Sequence, residues 1–157
     1  MDELVVVARR VRETDNYPIF EPELGLAWFL TNPEPLDAWV AVGDGAILGH
    51  VALHPTATRG AMRMVAEHAR STEVAFVSRL LVDPMRRGQA IGARLLDHVR
   101  EAARAAGRGL YLEAVDVPDG AAAMALYRAT GWIELGRVRF DLLDDGTEEV
   151  VFAAPTY

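Results

Sequence analysis

Residues 74–99 read VAFVSRLLVDPMRRGQAIGARLLDHV, and this stretch decides the fold. Val74 to Val82 is apolar at nearly every position, with no wet and dry alternation, so it predicts a central strand covered on both faces. Asp83-Pro84 ends it, since proline has no N–H to give to a ladder. The period then changes. Ile91, Leu95, Leu96, Val99, Ala102, Ala103 and Ala106 recur at helical spacing, with Arg94, Asp97, Arg100, Glu101 and Arg104 facing elsewhere, until Gly107 and Gly109 stop the helix. Between strand and helix, small residues at Gly88, Ala90 and Gly92 let the backbone turn tightly, so that unpaired N–H groups at the helix start can converge on one anion. Arg86 and Arg87 add charge, and the positive end of the helix dipole suits a pyrophosphate. The competing reading is an ordinary strand-to-helix turn whose glycines only relieve crowding. No Gly-Lys-Ser/Thr follows, which excludes a P-loop, and the G-x-G-x-x-G spacing of dinucleotide folds is absent.

Working outward, Gly109 to Val115 reads as a strand and Asp119 as the cap of a helix over Gly120 to Thr130, with Gly131 at its left-handed end. Two further strands fall near Trp132 to Leu142 and Glu149 to Ala153, joined by Asp144-Asp145-Gly146. Upstream, Ala38 to Val42 and Ala46 to Leu53 flank Gly43-Asp44-Gly45, a hairpin signal because Asp-Gly tolerates positive φ. Ala61 to Ala69 has the composition of a short helix within an insertion from Pro55 to Thr72. Glu23 to Leu30 predicts another short helix with Leu24, Trp28 and Leu30 on one side. The β-branched run Val5-Val6-Val7 makes Leu4 to Val11 read as a strand.

At 157 residues and 51% hydrophobic, the chain suits one domain, 1–157, around one core. A formal charge of −7, from 16 Lys+Arg against 23 Asp+Glu, argues against nucleic acid as a partner. The absence of cysteine removes disulfides, thiolate metal sites and a cysteine nucleophile, and the histidines show no metal-ligand spacing, so no metal is expected. The acidic start Met1-Asp2-Glu3 is unlike a secretory signal, and no apolar run approaches the roughly 18 residues of a membrane span, so a cytoplasmic protein is the expectation.

The hexad Arg87-Gly88-Gln89-Ala90-Ile91-Gly92 resembles the Q/R-x-x-G-x-G/A signature of the GCN5-related N-acetyltransferase (GNAT) family, with Ala90 in place of the first family glycine. Leu126-Tyr127-Arg128-Ala129-Thr130-Gly131-Trp132 is similar to the family's second signature, and the likeness extends through Val74 to Arg137. The resemblance implies an α/β acyl-CoA N-acyltransferase fold: a mixed, mostly antiparallel central sheet, splayed at a bulge and flanked by helices. It also implies acetyl-CoA as acyl-donor cosubstrate and a small-molecule or peptide amine as acceptor. A homodimer through the last strands is a further family-level expectation.

Carried over position by position, the resemblance assigns the backbone of Leu80, Leu81 and Val82 to the pantetheine arm. Arg87, Gly88, Gln89, Ala90, Ile91, Gly92 and Ala93 go to the diphosphate, and a strand amide of Leu81 or Val82 to the acyl carbonyl. Tyr127 matches the tyrosine that protonates the departing thiolate, although it also lies on the apolar stripe Ala123, Leu126, Tyr127, Thr130 as a core tyrosine would. Gly120 stands where the family often has an asparagine. A base must take a proton from an alkylammonium of pKa near ~10, and Glu73, Glu113 and Asp116 are the candidates. Glu113 either faces the cleft or pairs with Arg79, which itself either holds a substrate carboxylate or makes only that ion pair. For His50, His54, His68 and His98, surface or packing roles outweigh catalysis; Trp28 and Trp39 read as core or pocket wall. A non-catalytic acyl-CoA-binding or regulatory module on the same fold is the alternative to an enzyme, and a plain nucleotide-binding α/β protein the third reading. The acceptor is written in Asp15 to Pro35 and in the insertion, where no motif stands.

Overall fold

The computed structural model describes residues 1–156. In chain order the elements are α1 (Asp2–Asp15), α2 (Gly25–Thr31), β1 (Asp37–Gly43), β2 (Ala46–His54), α3 (Arg59–His68), β3 (Val74–Val82), α4 (Ile91–Ala105), β4 (Gly109–Val115), α5 (Ala121–Ala129), β5 (Ile133–Arg139) and β6 (Glu148–Ala153). Among the described residues the fold is mixed α/β, with six strands in the order β1-β2-β3-β4-β6-β5. β3 runs parallel to β4, while β1–β2, β4–β6 and β5–β6 are antiparallel. The chain packs as two compact units, Met1–His54 with Ser78–Val99, and Pro55–Val77 with Arg100–Tyr157, so β3 and α4 each contribute to both.

In the first unit the Val-rich start is a helix, not the strand that its β-branched run predicts. Leu4, Val7, Ala8 and Val11 fall at i, i+3, i+4 and i+7 and are all buried, in one cluster with Leu26, Leu30 and Leu81. A valine inside a helix costs on the order of 0.5 kcal/mol relative to alanine. Burying one contributes about 1.5–3 kcal/mol, so packing overrides propensity. Asp2 and Glu3 in the first turn, Arg12 in the last and left-handed Asn16 (φ 54°) complete a well-formed helix. α2 turns Leu26 and Leu30 inward; Leu24 and Trp28 are exposed, so the face read from Leu24 and Trp28 is shifted. The hairpin forms as its turn chemistry demands: Asp44 and Gly45 have φ of 52° and 73°, and Gly43 pairs with Ala46. Gly49 on β2 is needed for close approach. A Cβ there would stand 2.6 Å from the Leu81 carbonyl oxygen and 3.1 Å from Leu95.

In the second unit α3 and the face of β6 that carries Val151 bury Ala61, Val65 and Phe76 together. Thr58 caps α3, its hydroxyl accepting from the Ala61 amide. Asp119 does not cap the next helix: it lies inside a 3₁₀ turn, Pro118–Gly120, and Gly120 is the N-cap of α5. Proline at the start of that turn sets the helical φ one residue too early for Asp119 to flank it. Gly131 does end α5, with φ 86°.

Candidate active site

The first unit contains the turn that the sequence suggests for a phosphate. β3 ends at Val82, and Asp83 folds the chain over: its amide donates to Leu48 O at 2.8 Å, its Oδ1 accepts from the Met85 amide at 3.0 Å, and its Oδ2 accepts from Arg10 at 2.8 Å. After a 3₁₀ turn over Pro84–Arg86, Gly88 and Ala90 both take positive φ, 82° and 57°. Arg87 to Ala90 are exposed, and a Cβ built on Gly88 meets nothing within 4 Å, so this backbone faces open space. The first bond of α4 runs from Arg94 N to Ala90 O at 3.0 Å, leaving the Ile91, Gly92 and Ala93 amides without an acceptor inside the helix. A turn of this shape, on a fifteen-residue helix, is an anion-binding geometry. Ala90 sits in the left-handed region that the family glycine would occupy without strain, at a cost on the order of 1 kcal/mol.

Arg87 is paired within the chain. Both its terminal nitrogens donate to the Asp15 carboxylate at the end of α1, one of them at 3.0 Å, which holds its pKa above the ordinary value. This pair is part-exposed, and such pairs contribute about 0–1 kcal/mol.

The bulge implied for β3 has a definite residue. Arg79 takes φ 48° in mid-strand, which breaks the pleat there. The parallel ladder to β4 joins Val74 to Gly109, Ala75 to Leu110 and Phe76 to Tyr111, and β3 continues past it to Val82. Around the bulge the sequence builds a buried polar cluster that composition alone did not reveal. His50 Nδ1 bonds the Arg79 carbonyl at 2.8 Å. The Arg79 guanidinium donates to His54 Nδ1 at 3.1 Å and to Asn32 O at 2.6 Å, and stacks 4.9 Å from the Phe29 ring. His54 also bonds Ser78 Oγ and Pro33 O. Burial, then the Arg79 charge, pull the His50 and His54 pKa values down, so both rings stay neutral at physiological pH. The partners of Arg79 are thus neutral, His54 and the Asn32 carbonyl, in place of the ion pair with Glu113 that its sequence position suggests.

The second unit carries Tyr127 and Glu113. Tyr127 on α5 is 8% exposed, its ring 5.8 Å from Phe152 and 6.4 Å from Trp132. Gly120 lies at the start of this helix beside a groove of about 590 Å³ lined by Asp116, Val117, Pro118, Ala121, Met124 and Arg128. The three base candidates separate. Glu73 is exposed and 3.6 Å from Arg108, and Asp116 accepts from Arg137 at 2.7 Å. Glu113 is half-buried and accepts from Thr58 Oγ1 at 2.7 Å. The same hydroxyl contacts Glu149, which is 1% exposed and whose pKa is pushed up to about 8, first by burial. Glu149 escaped sequence reading: in a strand end reading Glu148-Glu149-Val150, only the alternation against Val151 hints that it points inward.

Residues 5–132 match the acetyltransferase (GNAT) family, and the chain belongs to that family. No curated protein matches its sequence. Among solved structures it is similar to Arabidopsis thaliana NAA60 in complex with acetyl-CoA (17% identity, TM-score 0.71, covering 99% of this chain and 95% of that one). It is also similar to the ribosomal-protein-alanine N-acetyltransferase of Brucella melitensis (20%, TM-score 0.67, 99% and 93%) and to an aminoglycoside 6'-acetyltransferase type Ii (20%, TM-score 0.68, 99% and 91%). At these identities the likeness speaks for the fold. Among the described residues, no helix is long and apolar enough to cross a membrane.

Proposed function

We propose that this acetyltransferase moves an acetyl group from acetyl-CoA directly to a primary amine of a small molecule or peptide. The observation that carries the reading is the turn from Gly88 to Ala93. Two positive-φ positions, Gly88 and Ala90, and the three helix-start amides of Ile91, Gly92 and Ala93 form a cradle suited to one diphosphate, at the position of the family signature. The backbone of Leu80, Leu81 and Val82, beyond the end of the β3–β4 ladder and past the bulge at Arg79, serves the pantetheine arm.

The chemistry asks for two proton transfers. Glu113 takes a proton from the acceptor ammonium. The neutral nitrogen attacks the thioester carbonyl, its C–N bond forms, the C–S bond breaks, and the thiolate takes a proton from Tyr127; the nitrogen sheds its second proton to solvent, and solvent returns one to Tyr127. Cationic acceptors are favoured slightly by the chain's acidic balance.

Calorimetry with coenzyme A tests the cradle, and an amine panel read by thiol release tests the transfer. Binding with micromolar or tighter affinity and turnover on at least one amine are expected. No heat and no shift in melting with saturating coenzyme A would remove the reading.

A further inference from the structure

Thr58, Glu113 and Glu149 come from three places in the second unit: the cap of α3, β4 and β6. In the β4–β6 register Glu113 stands opposite Val151 and Val115 opposite Glu149, so the two acids are diagonal neighbours on one face of the sheet. Thr58 Oγ1 lies 2.7 Å from Glu113 Oε2, contacts Glu149 Oε1, and accepts from the Ala61 amide at 3.4 Å.

Hydrogen-bond chemistry restricts the protons in this cluster. A hydroxyl has one donor and two lone pairs, and an ionised carboxylate only accepts. If both acids were charged, the Thr58 hydroxyl could satisfy one, and the other contact would set lone pair against lone pair. One acid must carry a proton. The backbone N–H of Thr58 points at Glu113 Oε1 at 3.4 Å and can only donate, which favours Glu113 as the anion. Glu149 is almost fully buried, and its Oε2 has no partner, a lesser penalty for a neutral carboxyl than for a carboxylate. The charges bearing on Glu149 are Glu113 from β4 and Asp141 from the segment after β5, both acidic. With Glu149 protonated, every capacity of the Thr58 hydroxyl is used: it accepts from Glu149 and from the Ala61 amide and donates to Glu113.

We propose that Glu149 is a proton-carrying positioning residue, which donates to Thr58 so that Thr58 donates to Glu113 and holds its carboxylate, charged and in one orientation, for the acceptor ammonium. The proposal rests on the acetyltransferase reading in which Glu113 is the base.

It has a pH signature. The folded pKa of Glu149, about 8, lies above its ordinary value of 4.5. The fold therefore favours the protonated acid. The resulting stability is complete below the unfolded pKa, declines as pH rises, and is gone above the folded one. Above that point the two carboxylates compete for the single Thr58 proton, and Glu113 no longer holds its donor alone.

The test compares wild type with Glu149→Gln, Glu149→Ala, Thr58→Ser and Thr58→Val, each read by urea-unfolding stability from pH 5 to 9.5 and by the pH profile of kcat on a panel amine. Glu149→Ala and Thr58→Val should lower kcat on the order of tenfold, part of a general-base contribution, with KM for acetyl-CoA unchanged. Glu149→Gln and Thr58→Ser, which keep a donor in place, should recover most of that loss. Wild-type kcat should fall with an apparent pKa near 8. Glu149→Gln should lack this limb, and its stability should not decline over the same range. A Glu149→Gln protein as impaired as Glu149→Ala, or one with the wild-type pH dependence, would overturn the proposal. If no amine is acetylated, the acetyltransferase reading falls separately, while parallel stability curves for wild type and Glu149→Gln would still sink the protonated Glu149.

Discussion

The turn at Gly88 to Ala93 and the cluster at Thr58, Glu113 and Glu149 are built on opposite principles. The turn uses backbone from one short stretch of chain, and what the side chains there contribute is mostly their smallness and their φ. The cluster uses side chains whose contacts span 55 and 91 residues of sequence. A backbone-built site tolerates change in side-chain chemistry and fails when conformation is wrong; a side-chain-built site fails when one atom is removed.

The largest expected effect removes a side-chain atom elsewhere in the second unit and leaves the turn intact. Tyr127→Phe deletes one oxygen and should cost about 10²–10⁴ in kcat if its hydroxyl gives the leaving thiolate its proton. Coenzyme A affinity by calorimetry should be unchanged. An unaltered kcat would return Tyr127 to the role of a core tyrosine against Phe152 and Trp132.

Next comes a break in the support of the backbone half. Gly49→Ala puts a Cβ 2.6 Å from the Leu81 carbonyl, against β3 and the α4 side chains at Ile91 and Leu95. It should destabilise the protein by about 1–3 kcal/mol in urea unfolding, with coenzyme A binding weakened in parallel.

Ala90→Gly sharpens the comparison from the other side. It relieves a left-handed alanine and should stabilise the fold by about 0.5 kcal/mol at most, what remains of roughly 1 kcal/mol of strain after the extra entropy of glycine is subtracted. A loss of stability would mean that the turn does not need positive φ there.

The smallest effect concerns Asp15. Removing its charge by Asp15→Asn frees Arg87 for an anion, so coenzyme A should bind a few-fold more tightly at low salt, within the roughly 1 kcal/mol that an exposed pair is worth. An unchanged affinity would take Arg87 out of the diphosphate site.

These two sites also mark what could be read in advance. The central strand, the helix after it, the hairpin at Asp44-Gly45 and the stop at Gly131 were all legible, because each is set by neighbours in sequence. The first helix was misread. Its three consecutive valines carry a strand propensity, and only the partners offered by α2 and Leu81 make the i, i+3, i+4, i+7 stripe the stronger signal. Arg79 stood out as a charge in an apolar strand, but not that it would sit at the bulge with His54, Asn32 and Phe29 for company. Of the three acids that the sequence offers as a base, Glu73 and Asp116 pair with surface arginines, while Glu149, which no motif marks, is the acid that burial pushes up to about 8.

The sequence by itself determined the order and type of most elements, the family, and the turn that suits a diphosphate, because periodicity, glycine placement and helix-start amides are local properties of the chain. Only the tertiary structure decided which acid is dry, which hydroxyl stands between two carboxyls, and which arginine is already taken. Desolvation and hydrogen-bond partnership depend on what other segments bring to the same few ångströms, and no spacing within a single segment records that.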